Sequence, residues 1–262
     1  MKLKNKTAIV TGGAGCIGSA IVDKLAEEGA HIAVFDLDES AMEKQCAALT
    51  AKNIHIEPIP VNICDYADVQ RAVLSVKERF GKIDILVNNA GVSARKEMRA
   101  FADQKLEVVR RVIELNLFGT LHCIHAVLPS MIEAQSGKIV NIASLVGVNG
   151  VWGNCDYGAA KAGVILATKT LAIEVARKNI NINCVSPGKV PRQEDIPEDE
   201  EAFARQFTFL SRMCTGRDIA EMTVFLTTEA ASYITGQNFI VDGGRSLGLK
   251  GDYCGDCRPC KK

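Results

Sequence analysis

Tyr157 and Lys161 stand four residues apart, and Ser144 lies thirteen residues before Tyr157, at the end of the apolar run KIVNIAS (138–144). A phenol beside an ammonium is a proton-transfer pair. The unperturbed tyrosine pKa, about 10, is too high for ready exchange near neutrality, and a fixed positive charge within ~4–6 Å favours the phenolate. A drop of three units takes roughly 4 kcal/mol of differential stabilisation. On a helix, positions i and i+4 share a face, so Lys161 can lie next to the phenol. Alone, the spacing equally describes an ordinary, partly exposed helix pair. The elements around it decide between the two.

Short β-rich runs alternate with longer amphipathic stretches along the whole chain. Strands are expected at 7–11, 31–35, 54–61, 83–88, 138–143, 180–185 and 239–241, and helices notably at 17–28, 67–80, 104–133, 157–178 and 217–229. This alternation predicts an α/β fold: a Rossmann-type, doubly wound parallel sheet of about seven strands with helices on both faces. The 262 residues, 47% of them hydrophobic, suffice for one core. One domain is expected over 1–245, followed by a cysteine-containing tail, 246–262. Basic and acidic residues balance at 31 each, which removes any general attraction to nucleic acid. No apolar run reaches the ~18–20 residues that span a bilayer, and seven of the ten cysteines are scattered, mostly in apolar segments. A soluble cytoplasmic protein with reduced thiols is expected.

The first strand runs into TGGAGCIG (11–18) and then a helix. Glycines there let the backbone approach a pyrophosphate, whose charge the helix N-terminus meets. The second strand ends at Asp36, where a carboxylate would accept from the adenosine ribose hydroxyls and repel a 2′-phosphate. No Arg or Lys stands at Cys16 or Leu37 to hold such a phosphate, so NAD is expected rather than NADP.

With these pieces in place the chain resembles the short-chain dehydrogenase/reductase family, single-domain branch, from residue 5 to about 245. The likeness rests on TGGAGCIG, NNAG (88–91), Asn116 in ELNLFG, Ser144, YGAAK (157–161), PG (187–188) and VDGG (241–244), in that order and spacing. It implies a nicotinamide cofactor and hydride transfer without a catalytic metal. It implies that Tyr157 exchanges the proton of a carbonyl or alcohol oxygen, and that Lys161 lowers the tyrosine pKa and binds the nicotinamide ribose. Ser144 would bond the substrate oxygen, and Asn116 would hold a relay water. The expected cofactor contacts are Gly12, Gly15, Cys16, Ile17, Gly18, Asp36, Leu37, Asn62 and Ile63 on one side. Asn89, Ala90, Gly91, Tyr157, Lys161, Pro187, Gly188 and Val190 complete the set. A homotetramer or homodimer, built through the helices carrying Asn116 and Tyr157, is implied as well.

The chain departs from the family pattern in places. Cys16 replaces a glycine, giving the glycine spacing of the extended branch, and Asn62 replaces an aspartate. The threonine usual near Arg192 is missing, and Cys214 and Gly216 replace Gly and Pro. The substrate is expected against Ser144, Val146, Asn149, Trp152 and Tyr157, with Ser93, Arg95 and the loop 189–209 as further candidates. Trp152 would be an apolar wall, and the acidic stretch 191–201 either a mobile lid or simply an exposed face.

Cys254, Cys257 and Cys260 have C-x-x-C-x-x-C spacing. Three such thiolates could bind zinc or an iron–sulfur cluster with a fourth ligand from elsewhere, act as redox thiols, or have no defined role. The activity expected is NAD-dependent oxidoreduction of a secondary alcohol or ketone. The alternatives are a 3-oxoacyl-thioester reductase and a noncatalytic NAD-binding redox sensor.

Overall fold

The computed structural model describes residues 1–50 and 54–247. Cys254, Cys257 and Cys260 lie outside the described residues. The short apolar runs form strands, those inside the sheet buried on both faces and the two at its edges only partly buried, the pattern of a helix-covered parallel sheet. They are β1 (Thr7–Thr11), β2 (His31–Asp36), β3 (Ile56–Pro60), β4 (Ile85–Asn88), β5 (Gly137–Ile142), β6 (Ile180–Pro187) and β7 (Asn238–Val241). They pair in parallel in the order β3-β2-β1-β4-β5-β6-β7, a Rossmann-type sheet. Thr11 pairs with Asn88 and Asn88 with Asn141, so the carboxyl ends of the three central strands stand level.

The helices are α1 (Cys16–Glu27), α2 (Glu39–Thr50), α3 (Tyr66–Phe80), α4 (Leu106–Ile113), α5 (Gly119–Ala134), α6 (Cys155–Val175), α7 (Glu200–Ala204) and α8 (Gly216–Thr227). Alternation along the strands sends side chains to opposite faces. Val10 and Val34 pack with Ile21, Met42 and Val224 of α1, α2 and α8. Ile9 and Phe35 pack with Val69, Ile124 and Met131 of α3 and α5. Each such fully buried side chain contributes about 1.5–3 kcal/mol. A buried polar chain pins α6 to the sheet: Asn88 Nδ2 donates to Asn141 Oδ1 (2.8 Å), and Asn141 Nδ2 donates to Thr168 Oγ1 (2.8 Å).

Four features differ from the sequence expectation. α2 is an additional helix; its core contact is only Met42, Cys46 and Leu49, a stripe too thin to stand out among polar neighbours. The expected helix 104–133 is interrupted by a π-helical turn, Glu114–Phe118, centred on Asn116. Counted through that turn, Leu106–Ala134 is the one helical stretch among the described residues long and apolar enough to cross a membrane, so the expectation of no such run does not hold. Packing accounts for part of that apolarity, since Val108, Val112, Cys123, Ile124, Val127 and Met131 are buried in the protein. Finally, part of the acidic stretch is helical: Asp199 caps α7 through Ala202 N (2.9 Å), and Glu200 accepts from Met213 N (3.0 Å).

Candidate active site

From β1 the chain winds outward to β3, then returns to β4 and winds the other way. Open parallel sheets bind ligands at such a switch point, beyond the carboxyl ends of the strands. A cleft of about 1070 Å³ opens there. One wall is the turn between β1 and α1. Gly12 has φ +62°, and a Cβ on Gly18 would lie 2.0 Å from Gly12 O, so the turn tolerates no side chain at either position. Gly15 begins α1 without a side-chain cap, and the first helix amides, from Cys16 onward, have no acceptor within the helix. Gly12, Gly15, Cys16 and Ile17 line the cleft. The glycine spacing with Cys16 therefore builds an intact turn with the thiol exposed.

At the end of β2 the Asp36 carboxylate accepts from Ala14 N (3.0 Å), Leu37 N (2.7 Å) and Asp38 N (3.2 Å). It is fixed at the cleft edge, next to Leu37. Asn62 and Ile63 line the same end; Asn62 Oδ1 accepts from Cys64 N (3.1 Å). In NNAG, Asn89 Nδ2 donates to Thr11 O (3.1 Å) and Gly12 O (2.8 Å), and Thr11 Oγ1 accepts from Asn89 N and Ala90 N. That motif thus locks the glycine turn from below. Pro187, Gly188 and Val190, at the end of β6, close the far wall. Arg192 also lines the cleft, where the threonine usual in the family is absent. The loop with Cys214 and Gly216 still starts α8 cleanly, through a capping box between Thr215 and Asp218.

Ser144, Tyr157 and Lys161 lie together on the opposite wall, beyond β5 and in the first turns of α6. Ser144 Oγ accepts from Val146 N (3.2 Å), which leaves its proton to donate into the cleft. Lys161 is buried; its Nζ donates to Ile142 O (2.8 Å) and lies 5.8 Å from the centre of the Tyr157 ring. Burial lowers the Lys161 pKa to about 8. Burial likewise pushes the Tyr157 phenol up, while hydrogen bonding to Ser144 and the charge of Arg95 pull it back. The expected lowering of the phenol by Lys161 is therefore not what the protein alone provides. The ammonium is turned to a carbonyl and over the ring face, and desolvation dominates.

Asn116 is fully buried behind Lys161. Its Nδ2 donates to Val112 O, one turn back, and to Val92 O beyond β4, both at 2.9 Å. The π turn that carries it, a feature often found at functional sites, lets the side chain bridge the two segments. Its Oδ1 has no partner. A Cβ on Gly91 would lie 2.4 Å from that oxygen and 3.2 Å from Lys161 Nζ, so glycine leaves the two polar atoms a shared space.

Val146 and Asn149 line the cleft, as does Ser93. Trp152 does not: it is 72% exposed and outside the lining, although its neighbours Val151 and Asn154 belong to it. The expected apolar wall is thus displaced; Asn154 Nδ2 bonds Trp152 O (3.1 Å), holding the backbone while the indole faces out. One lining residue the sequence reading missed is Arg245, which follows VDGG directly and is carried into the cleft by the turn after β7. Among the described residues no group of three His, Cys, Asp or Glu side chains is placed to hold a metal.

A family model described as enoyl-(acyl carrier protein) reductase matches residues 12–246. The 3-oxoacyl-[acyl-carrier-protein] reductase FabG of Thermotoga maritima is 34% identical, over 93% of this chain and 99% of its own. The (2S)-[(R)-hydroxy(phenyl)methyl]succinyl-CoA dehydrogenase subunit BbsD of Thauera aromatica is 36% identical, over 94% and 99%. The crystal structure of levodione reductase superposes with a TM-score of 0.87 at 31% identity, over 94% of this chain and all of that one.

Proposed function

The chain belongs to the short-chain dehydrogenase/reductase family of oxidoreductases, and from that premise we propose that it interconverts a secondary alcohol and a ketone with NAD as its cofactor. The observation that carries the reading is the placement of Ser144, Tyr157 and Lys161 across one cleft from the glycine turn and Asp36. The residues present fit a dinucleotide: a turn without side chains, free helix amides for a pyrophosphate, and a carboxylate at the ribose end. Bound there, the nicotinamide would supply or accept the hydride.

The chain's own residues handle the proton. Tyr157, kept protonated near neutrality by burial, gives its proton to the carbonyl oxygen in reduction and takes it back in oxidation. Ser144, with its acceptor side engaged by Val146 N, donates to the same oxygen and stabilises charge developing on it. Lys161 stands behind the phenol as a buried cation, and a water bridging Nζ and Asn116 Oδ1 would pass the proton onward.

NAD rather than NADP rests on Asp36, whose charge would meet a 2′-phosphate. The parent enzyme is expected to favour NAD. Asp36→Asn, which keeps an acceptor but removes the charge, should lower the NAD/NADP ratio of kcat/KM by about tenfold or more. Equal efficiency with both cofactors in the parent would refute this role. A screen of secondary alcohols and ketones, followed by the absorbance of the reduced nicotinamide, tests the reaction itself. A second reading, reduction of a 3-oxoacyl thioester, is favoured by the names of the Thermotoga and Thauera relatives, whose substrates are acyl thioesters. Including such thioesters in the screen separates the two.

We also propose a homotetramer or homodimer in a reducing, cytoplasmic setting. Support comes from apolar side chains left exposed on α4–α5 (Leu106, Phe118) and α6 (Leu166, Ile173), and from seven described cysteines that are all free thiols. Light scattering on the purified protein should give a dimer or tetramer mass, and a monomer would reject the assembly.

A further inference from the structure

Carbonyl chemistry does not require the concentration of positive charge found beside Tyr157. Arg95 comes from the turn after β4, Lys189 from the end of β6 and Arg245 from the turn after β7, and all three line the cleft. Each is held in place by its own segment. Ala94, just before Arg95, has φ +45° and ψ +38°, a left-handed conformation uncommon for alanine. Asp242 closes the turn that presents Arg245, accepting from Gly244 N (2.9 Å) and Ser246 N (2.7 Å). Phe209 N and Thr208 Oγ1 both donate to Gly243 O, which ties the neighbouring Phe207 to the same turn. The Phe207 ring then receives Lys189 Nζ at 3.4 Å and Arg245 Cζ at 5.5 Å from its centre.

Two cations gathered on one ring, with a third nearby, repel one another. Among the described residues, none of the three has a carboxylate within ion-pair distance. The acid nearest in effect is Asp195, which also lines the cleft, while Arg192 pairs with Glu194 at 3.9 Å. Burial first, and then the charges of Arg95 and Arg245, hold the Lys189 pKa below its ordinary value. Charge in this state is what a bound anion relieves. Arg95 also acts on the Tyr157 phenol, which sets the cluster at the reacting end of the cleft and not at the Asp36 end.

We propose that Arg95, Lys189 and Arg245 form a subsite for an anionic oxygen group of the substrate, a carboxylate or a phosphate, on the Tyr157 side of the cleft. The inference rests on the alcohol–ketone reading above and narrows it to hydroxy or oxo acids, or to thioesters on a phosphate-bearing carrier.

Binding, measured by calorimetry on protein saturated with the reduced cofactor, tests it without requiring turnover. The cofactor occupies the glycine turn, so a probe anion must bind elsewhere. Two charged/neutral pairs serve as probes: phenylacetate with phenylacetamide, and phosphopantetheine with pantetheine. The charged member of at least one pair should bind about tenfold tighter or more, and that pair identifies carboxylate or phosphate as the source. Arg95→Gln, on an exposed turn, and Arg245→Gln should each reduce the preference to about threefold or less. Equal binding within both pairs, or a preference that survives both substitutions, would overturn the subsite. Should the subsite fail while turnover still depends on Tyr157, the alcohol–ketone reading stands without it.

Discussion

Tyr157→Phe should lower kcat by about a thousandfold, within the 10²–10⁴ typical of a lost general acid–base, with little change in fold or in cofactor binding. The side chain is half-buried and its ring packs by the Lys161 ammonium, contacts that phenylalanine keeps. Only the phenolic oxygen goes, and with it the group that exchanges the proton. The pH profiles of the parent carry the same argument. Burial raises the phenol above its ordinary value of about 10, so the acid form fills the neutral range and the base form is scarce there. Reduction should therefore be flat through neutrality and fall only in strong alkali, whereas oxidation should climb as pH rises. Stopped-flow or steady-state rates in both directions, for parent and variant, check this. An unchanged rate in Tyr157→Phe would remove the tyrosine from the mechanism, whereas a parent without turnover on any alcohol or ketone would bring back the noncatalytic, redox-sensing alternative.

What the sequence made legible was local. The Tyr157/Lys161 spacing needs only one helix, and the glycine turn with Asp36 needs only one strand–turn–helix–strand unit. The sheet was readable because strands buried on both faces are written as continuous apolar runs, such as 32–35 and 85–87. What escaped was either weakly patterned or distributed. α2 shows the core only three side chains, and the π turn at Asn116 alters backbone winding without altering apolar periodicity. Trp152 sits near the cleft in sequence but turns outward, which no spacing rule registers. The cationic cluster assembles from three separate segments, after β4, β6 and β7, and Arg245 lies 150 positions from Arg95 in the chain. Juxtaposition of that kind belongs to the fold and not to any segment.

Lys161→Met is expected to abolish most activity and to reveal what the buried ammonium does to the fold. The lysine pKa is about 8 in the folded protein and about 10.4 when unfolded, so between those values the unfolded chain binds more protons. Stability of the parent should then rise with pH across that window, and be flat below it, where the charge is buried in full. At ~1.4 kcal/mol per unit, the gain amounts to about 3 kcal/mol at most. The variant lacks this dependence. It also strands the Ile142 carbonyl that Nζ satisfied, at a cost of about 1–3 kcal/mol, so near pH 7 the two effects oppose and the proteins should unfold at similar denaturant concentrations. By pH 10.5 the parent should be the more stable, because its lysine has become neutral and still donates to Ile142 O. Taking the difference between the two proteins cancels the titration of the remaining groups. Denaturant titrations at several pH values decide the matter, and a stability difference independent of pH would show that Lys161 is not held as a buried, destabilised cation.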